Sequence, residues 1–130
     1  MTPLIAGIYS KYSGSTFATA NTGGLHLELA PQGTSMPFTT FTIVAARPEY
    51  TFDHVHEVVT VQFDIYTNLN TTRTDLYDKL TSLYDDARPT ATGYTSLIMA
   101  RIGQQFLREG DQNQIFRAIV EYQATIYKAG

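Results

Sequence analysis

At 130 residues, with 43% hydrophobic and 16% charged side chains, the chain suits one globular domain and is too apolar for a disordered tail. Nine Lys and Arg against twelve Asp and Glu give a net charge of -3, and the basic residues are scattered, which excludes the basic stripe that phosphate binding needs. The lack of cysteine excludes disulfides, thiolate nucleophiles and sulfur-ligated metals.

The first nine residues hold a short apolar stretch without a positive flank, which argues against a signal peptide and for a cytoplasmic origin. No apolar run approaches the roughly 18 residues of a membrane span. Residues 3–12 carry Leu4, Ile5, Ile8, Tyr9 and Tyr12 at helical spacing, with Pro3 in the first turn where its missing N–H costs nothing. Residues 13–24, rich in Gly, Ser, Thr and Asn, read as a loop anchored by Phe17. Leu25, Leu27 and Leu29 alternate with His26 and Glu28, a half-buried strand that Pro31 and Gly33 end. Residues 38–45 form the next predicted strand, with Phe41, Ile43 and Ala45 on one face and Thr40 and Thr42 on the other.

Residues 47–53, holding Arg47, Pro48, Tyr50 and Phe52, then predict the tip of a wide hairpin. From His54 to Tyr66 the alternation is sustained: Val55, Val59, Val61, Phe63 and Ile65 point one way, and His54, His56, Thr60, Gln62 and Asp64 the other. Next the period changes. Leu76, Leu80, Leu83 and Ala87 recur at helical spacing, Thr72 with Asp75 suggests a capped start, and Pro89 forbids much continuation.

Residues 94–128 read as one long hairpin. Setting Arg108 opposite Gln114 across the loop 109–113 makes Phe106 face Phe116, Ile102 face Val120, Ala100 face Tyr122 and Ile98 face Ala124. The other side then pairs Arg101 with Glu121, Gln105 with Arg117 and Met99 with Gln123. Gly103 is the weak point, since a glycine inside a strand marks a bulge that shifts register. Arms of about a dozen residues exceed the usual strand of roughly five or six, so part of the hairpin is expected to find cover on a neighbouring subunit. The whole predicts one α+β domain over residues 1–130: a mostly antiparallel sheet of about five strands, two helices on one face and the long C-terminal hairpin.

Catalytic and metal chemistry find little support. His54 and His56 share one side of a strand, but a third ligand is missing and His26 is the one other histidine. No serine stands in a Gly-x-Ser-x-Gly setting, and no Gly-rich loop carries the Lys of a phosphate cradle. Asp85 and Asp86 are adjacent at a helix end, so their carboxylates diverge. Residues 111–114 superficially suggest a calcium loop, yet Ile115 and Arg117 occupy later ligand positions. The expectation is therefore no enzyme, no cofactor and no metal. Nine tyrosines and seven phenylalanines suit cores and interfaces, and Tyr9, Tyr12, Tyr50 and Phe52 are the aromatic candidates for subunit contacts.

Ala30, Pro31, Gln32, Gly33 and Thr34, then Pro37 and Phe38 leading into a strand, then Val-Thr-Val-Gln-Phe-Asp-Ile-Tyr at 59–66 before a helix, resemble the tail-completion or tail-terminator proteins of long-tailed bacteriophages. The order of elements is similar over nearly the whole chain. That resemblance implies a non-enzymatic ring, commonly a hexamer, in the neck of the virion after assembly in the host cytoplasm. Its implied partners are its own copies, the tail tube protein and the head–tail connector proteins, with DNA passing through unread and no membrane involved. Candidate contacts are Arg47, Tyr50 and Phe52 in one connecting segment and Glu109, Asp111 and Asn113 at the tip of the long hairpin, because loops on a rigid sheet are where contacts are usually placed. Two alternatives remain: another neck ring, either head-closure or adaptor, and a small ligand-binding α+β domain with an aromatic pocket.

Overall fold

The computed structural model describes residues 2–50, 55–88, 94–110 and 114–128. Three helices, α1 (Thr2–Tyr12), α2 (Thr16–Ala20) and α3 (Asn70–Tyr84), pack on one face of a five-stranded sheet. The strands are β1 (Leu25–Leu27), β2 (Phe38–Tyr50), β3 (Val55–Thr67), β4 (Tyr94–Glu109) and β5 (Ile115–Lys128), in the order β1-β2-β3-β5-β4. All neighbours are antiparallel except β1, which pairs parallel to β2 with Leu25 opposite Thr39 and Leu27 opposite Phe41. This is the predicted α+β class, with three helices in place of the expected two.

The extra helix lies in the stretch expected to be a loop. Ser15 Oγ accepts the Ala18 N–H at 3.0 Å, an N-cap that starts α2, and Phe17 is fully buried beneath it. The chain then turns back through Gly23, whose N–H donates to the Pro37 carbonyl at 2.7 Å. A Cβ there would stand 2.1 Å from the Ser35 carbonyl oxygen, so this approach requires glycine. Buried Asn21 ties the return together, taking a hydrogen bond from Thr39 Oγ1 and donating to the Gly24 carbonyl.

β1 is shorter than its alternation predicts. Glu28 adopts a left-handed backbone, φ 65°, which ends the strand and throws Leu29 outward to 82% exposure instead of continuing the apolar row. β2 is longer than predicted. Arg47 pairs with Val58 and Tyr50 with Val55, so residues 47–50 are strand and not the tip of a wide hairpin.

The period-2 row of β3 lands as the sequence predicts: Val59, Val61, Phe63 and Ile65 are all fully buried against the helices. Beside them β5 supplies Ala118, Val120, Tyr122 and Ala124, with Val59 opposite Ala124 and Phe63 opposite Val120. Leu4 and Ile8 of α1 and Leu76, Leu80 and Tyr84 of α3 cover this row from one side. The start of α3 corrects the expected cap at Thr72. Leu69 is the cap residue, with no side-chain bond, and its carbonyl accepts the first helical hydrogen bond, from the Arg73 N–H at 3.1 Å. At the other end the helix stops at Tyr84, three residues before the predicted Ala87.

The long hairpin exists, but its register is not the one read from apolar coincidence. Glu109 faces Ile115, Arg108 faces Phe116 and Phe106 faces Ala118, so near the tip each partner lies two residues further along β5 than expected. Between Arg101 and Gly103 the register shifts again, and Met99 now faces Ala124. The irregularity falls beside Gly103, and it exchanges the two faces of β4. Met99 is consequently buried and Ile102 is 51% exposed, while Phe106 keeps the helix side, edge-on to Tyr77 at 4.9 Å, and is 47% exposed. Expected core pairs such as Ile102 with Val120 do not form.

Leu80 touches no solvent and sits in the centre of the helix-to-sheet contact. Leu80→Ala is expected to lower unfolding free energy by about 2–5 kcal/mol in urea titration, through the lost transfer energy and the cavity left behind.

Candidate assembly surfaces

The alternating directions of β2, β3, β5 and β4 put the two hairpin ends at opposite extremities of the sheet. Tyr50 and Val55 close the β2–β3 ladder level with Tyr127 of β5, whereas Glu109 and Ile115 close the β4–β5 ladder beyond Thr67, which faces Phe116. The candidate contacts thus form two separate groups. Tyr50 is 77% exposed, and Arg47, also exposed, reaches Glu49 Oε1 at 3.2 Å. Glu49 meets His56 Nε2 at 2.9 Å through its second oxygen, and the His56 ring lies 5.1 Å from Tyr127. Phe52, His54, Asp111 and Asn113 lie outside the described residues.

At the far end Glu109 joins a cluster on the sheet face away from the helices. Arg117 of β5 reaches Glu109 Oε1 at 3.3 Å and Asp64 Oδ1 of β3 at 3.4 Å, and its guanidinium lies 5.1 Å from the Tyr66 ring centre. Gln62 Nε2 donates to both Asp64 oxygens at 3.3 Å, and Tyr66 stacks on Phe38 at 4.9 Å. Burial raises the Tyr66 phenol above its ordinary value, with the Asp64 carboxylate adding to the rise. Burial, the largest single influence, would loosen the Arg117 proton, but Asp64, Tyr66 and Glu109 together outweigh it, so the guanidinium is held charged more firmly than in water. The sequence placed Arg117 opposite Gln105; the register shift puts Ile119 there and leaves Arg117 to its two carboxylates.

Beside this cluster, residues 28–31 with Gly33 and Thr34 wall a groove of about 290 Å³ that Phe38, Thr40 and Tyr66 also line. The Ala-Pro-Gln-Gly-Thr segment therefore borders a surface feature and is not merely a connector. Glu28, Leu29 and Gly33 on its rim are exposed.

A second network lies on the helix side. Tyr122 Oη donates to Asp85 Oδ1 at 2.7 Å, Asp85 Oδ2 meets Arg101 Nη2 at 3.3 Å, and Arg101 Nη1 donates a short bond to Tyr77 Oη. The expected Arg101–Glu121 pair is replaced by Arg101–Asp85, again because the bulge exchanges the faces of β4. Asp85 is thereby a structural acceptor at the end of α3. Tyr9 and Tyr12 also work within the subunit: Tyr9 Oη accepts the Leu27 N–H at 3.0 Å, and Tyr12 packs edge-on against Phe17. Among the described residues no three His, Asp or Glu side chains stand together as a metal site.

No family model matches the chain, and no curated protein matches it. The fold itself, a five-stranded sheet with helices on one face, occurs in a component of a virus-like particle. A chain of the virion of a native gene transfer agent particle superposes with a TM-score of 0.77 over 94% of this chain and 92% of that one, at 11% identity. The shared feature at that identity is the fold.

Two outcomes follow from the electrostatics. Burial, and for Tyr122 the Asp85 carboxylate as well, pushes the Tyr84 and Tyr122 phenols well above their ordinary value of 10.0. The unfolded chain then releases these protons first as pH rises. The stability they contribute is whole below about pH 10 and is lost above it. Melting temperature is expected to fall between pH 9 and pH 11, and Tyr84→Phe with Tyr122→Phe to flatten that fall. Separately, Arg117→Ala leaves the nearly buried Asp64 carboxylate without its cation and is expected to cost about 1–3 kcal/mol. Adding Asp64→Asn should restore part of it, a coupling that a double-mutant cycle in urea reads directly.

Proposed function

We propose that this protein is a structural subunit of a tailed virion, a tail terminator whose ring caps the tail tube and joins it to the head connector. The observation that carries the reading is the virion-component fold spanning nearly the whole chain, together with the order of elements and the Ala-Pro-Gln-Gly-Thr turn that resemble tail terminators. The placement of contacts supports it. A terminator needs one face for the last tube ring and another for the head connector, and here Arg47 with Tyr50 and Glu109 with Ile115 stand at opposite ends of about 40 Å of ladder. A ring of like subunits, commonly six in such proteins, has room for DNA to pass. A net charge of -3 suits passage because the subunit holds no large basic field to retain the phosphates. The reading needs no cofactor, membrane or catalytic group.

Particles made without the protein are expected to carry filled capsids and tails of uncontrolled length. Negative-stain images of a deletion lysate measure both. Tails of normal length that fail to join heads would instead favour a head-closure or adaptor ring. Normal, attached tails would remove the protein from the neck altogether.

A further inference from the structure

Resting on the ring reading above, we infer that neighbouring subunits meet sheet edge to sheet edge, with the outer edge of β4 in one copy set against the outer edge of β2 in the next. The sheet has two long edges, and both are partly closed by the chain itself. On β4 the Met99 N–H is taken by the Ala87 carbonyl at 2.9 Å, and the Leu107 carbonyl by Arg73 Nη1 at 2.9 Å. Between these two closures, residues 100–106 are exposed except for half-buried Gly103. On β2 the strand β1 covers residues 39–41, and the Phe41 carbonyl accepts the Glu28 N–H at 2.8 Å. Pro48, which has no N–H to offer, marks the other limit. That leaves residues 42–47. Among the described residues, nothing else pairs with either window.

Three features select a second copy as the occupant. The first is direction. β2, β3, β5 and β4 alternate, so β2 and β4 run oppositely. A neighbour turned about an axis along the strands therefore brings its β2 antiparallel to this β4, as hydrogen-bonded extension of a sheet prefers. The second is closure. Two different edges on one subunit make a heterologous contact, the kind that a ring repeats until it closes.

The third is matched irregularity. Ile43, Val61, Tyr122 and Arg101 lie on one rung across β2, β3, β5 and β4. Val44 bulges beside Ile43, and Ile102 bulges beside Arg101, so the two bulged residues flank the same rung. Each is also a large apolar side chain left outside, Val44 at 55% exposure and Ile102 at 51%. A bulge spoils an edge as a template for arbitrary strands. An edge whose own bulge lies just across the same rung meets that irregularity with a complementary one.

The chain contains no cysteine, so introduced thiols report without background. A Val44→Cys, Ile102→Cys double variant treated with a short thiol-to-thiol cross-linker is expected to give a denaturing-gel ladder in steps of 14.5 kDa up to the ring size. Neither single variant should give one. Ala45→Cys with Ala100→Cys, two exposed alanines on the neighbouring rung, provides a second pair if the bulged positions do not tolerate the change. Native mass measurement accompanies both. A ring by native mass that yields no ladder from either pair would overturn the edge contact and leave the ring standing. Covalent dimers from a single variant would replace the head-to-tail contact with a twofold one. Wild-type protein that stays monomeric when concentrated, and in tail preparations, would sink the ring and the edge contact together.

Discussion

Tyr84 is the side chain on which the subunit's architecture depends. Its ring stacks on Phe63 at 4.8 Å in the middle of β3, with Tyr122 of β5 set edge-on to Phe63 at 5.8 Å. Its hydroxyl donates to the Ile8 carbonyl of α1 at 2.9 Å. One residue thus fastens the crossover helix to two central strands and to the N-terminal helix, and the hydrogen bond removes the cost of burying a phenol. The aromatic chain extends outward through Phe41 to Tyr9, which in turn holds β1 by its backbone. Helix α3 of 15 residues covers roughly 22 Å, about half of what a 13-residue strand spans. Short helices and a long sheet make the aromatic cluster the place where the two layers are held in fixed relation.

The unroofed face is what that economy of helix leaves behind. Its rows carry Thr40, Gln62 and Asp64 next to Arg117 and Ile119, an assortment that neither water nor an apolar partner suits uniformly. Asp64 and Thr40 are nonetheless buried there, without a helix above them. The Asp64–Arg117 contact therefore sits in partly desolvated surroundings, where removal of one member leaves a charge stranded. The Phe38–Tyr66 stack beside it supports residues 28–34 from below, so the same corner joins a charge pair, an aromatic pair and the turn that follows β1.

Much of this was legible in the sequence because one-faced burial leaves a period. The rows Val59 to Ile65 and Leu76 to Leu80 each have a repeat that admits one reading, and both fell where that reading placed them. The β4 arm was not legible by the same rule. Its apolar residues fit either face, and one extra residue beside Gly103 throws Ile102 out of the expected core row and turns Met99 into it. The helix at Thr16–Ala20 hid behind a composition typical of loops; the cap at Ser15 and the single anchor Phe17 were its signals. Of the candidate surface, Arg47 and Tyr50 are exposed although they stand in β2 and not in the connecting segment that the sequence suggested. The Asp64–Arg117–Glu109 cluster depended on register and could not be read without it.

The uninterrupted pairing of β3 with β5, from His56 opposite Tyr127 to Thr67 opposite Phe116, has a mechanical consequence. Its hydrogen bonds lie perpendicular to the strands. A pull that separates the two ends of the subunit would therefore load those bonds in shear, many at once, instead of opening them one after another from a free end. Strands arranged in that way resist extension as a tendon does. A coupling piece under tension between two bodies gains from this geometry a stiffness that a bundle of short helices of the same mass would lack.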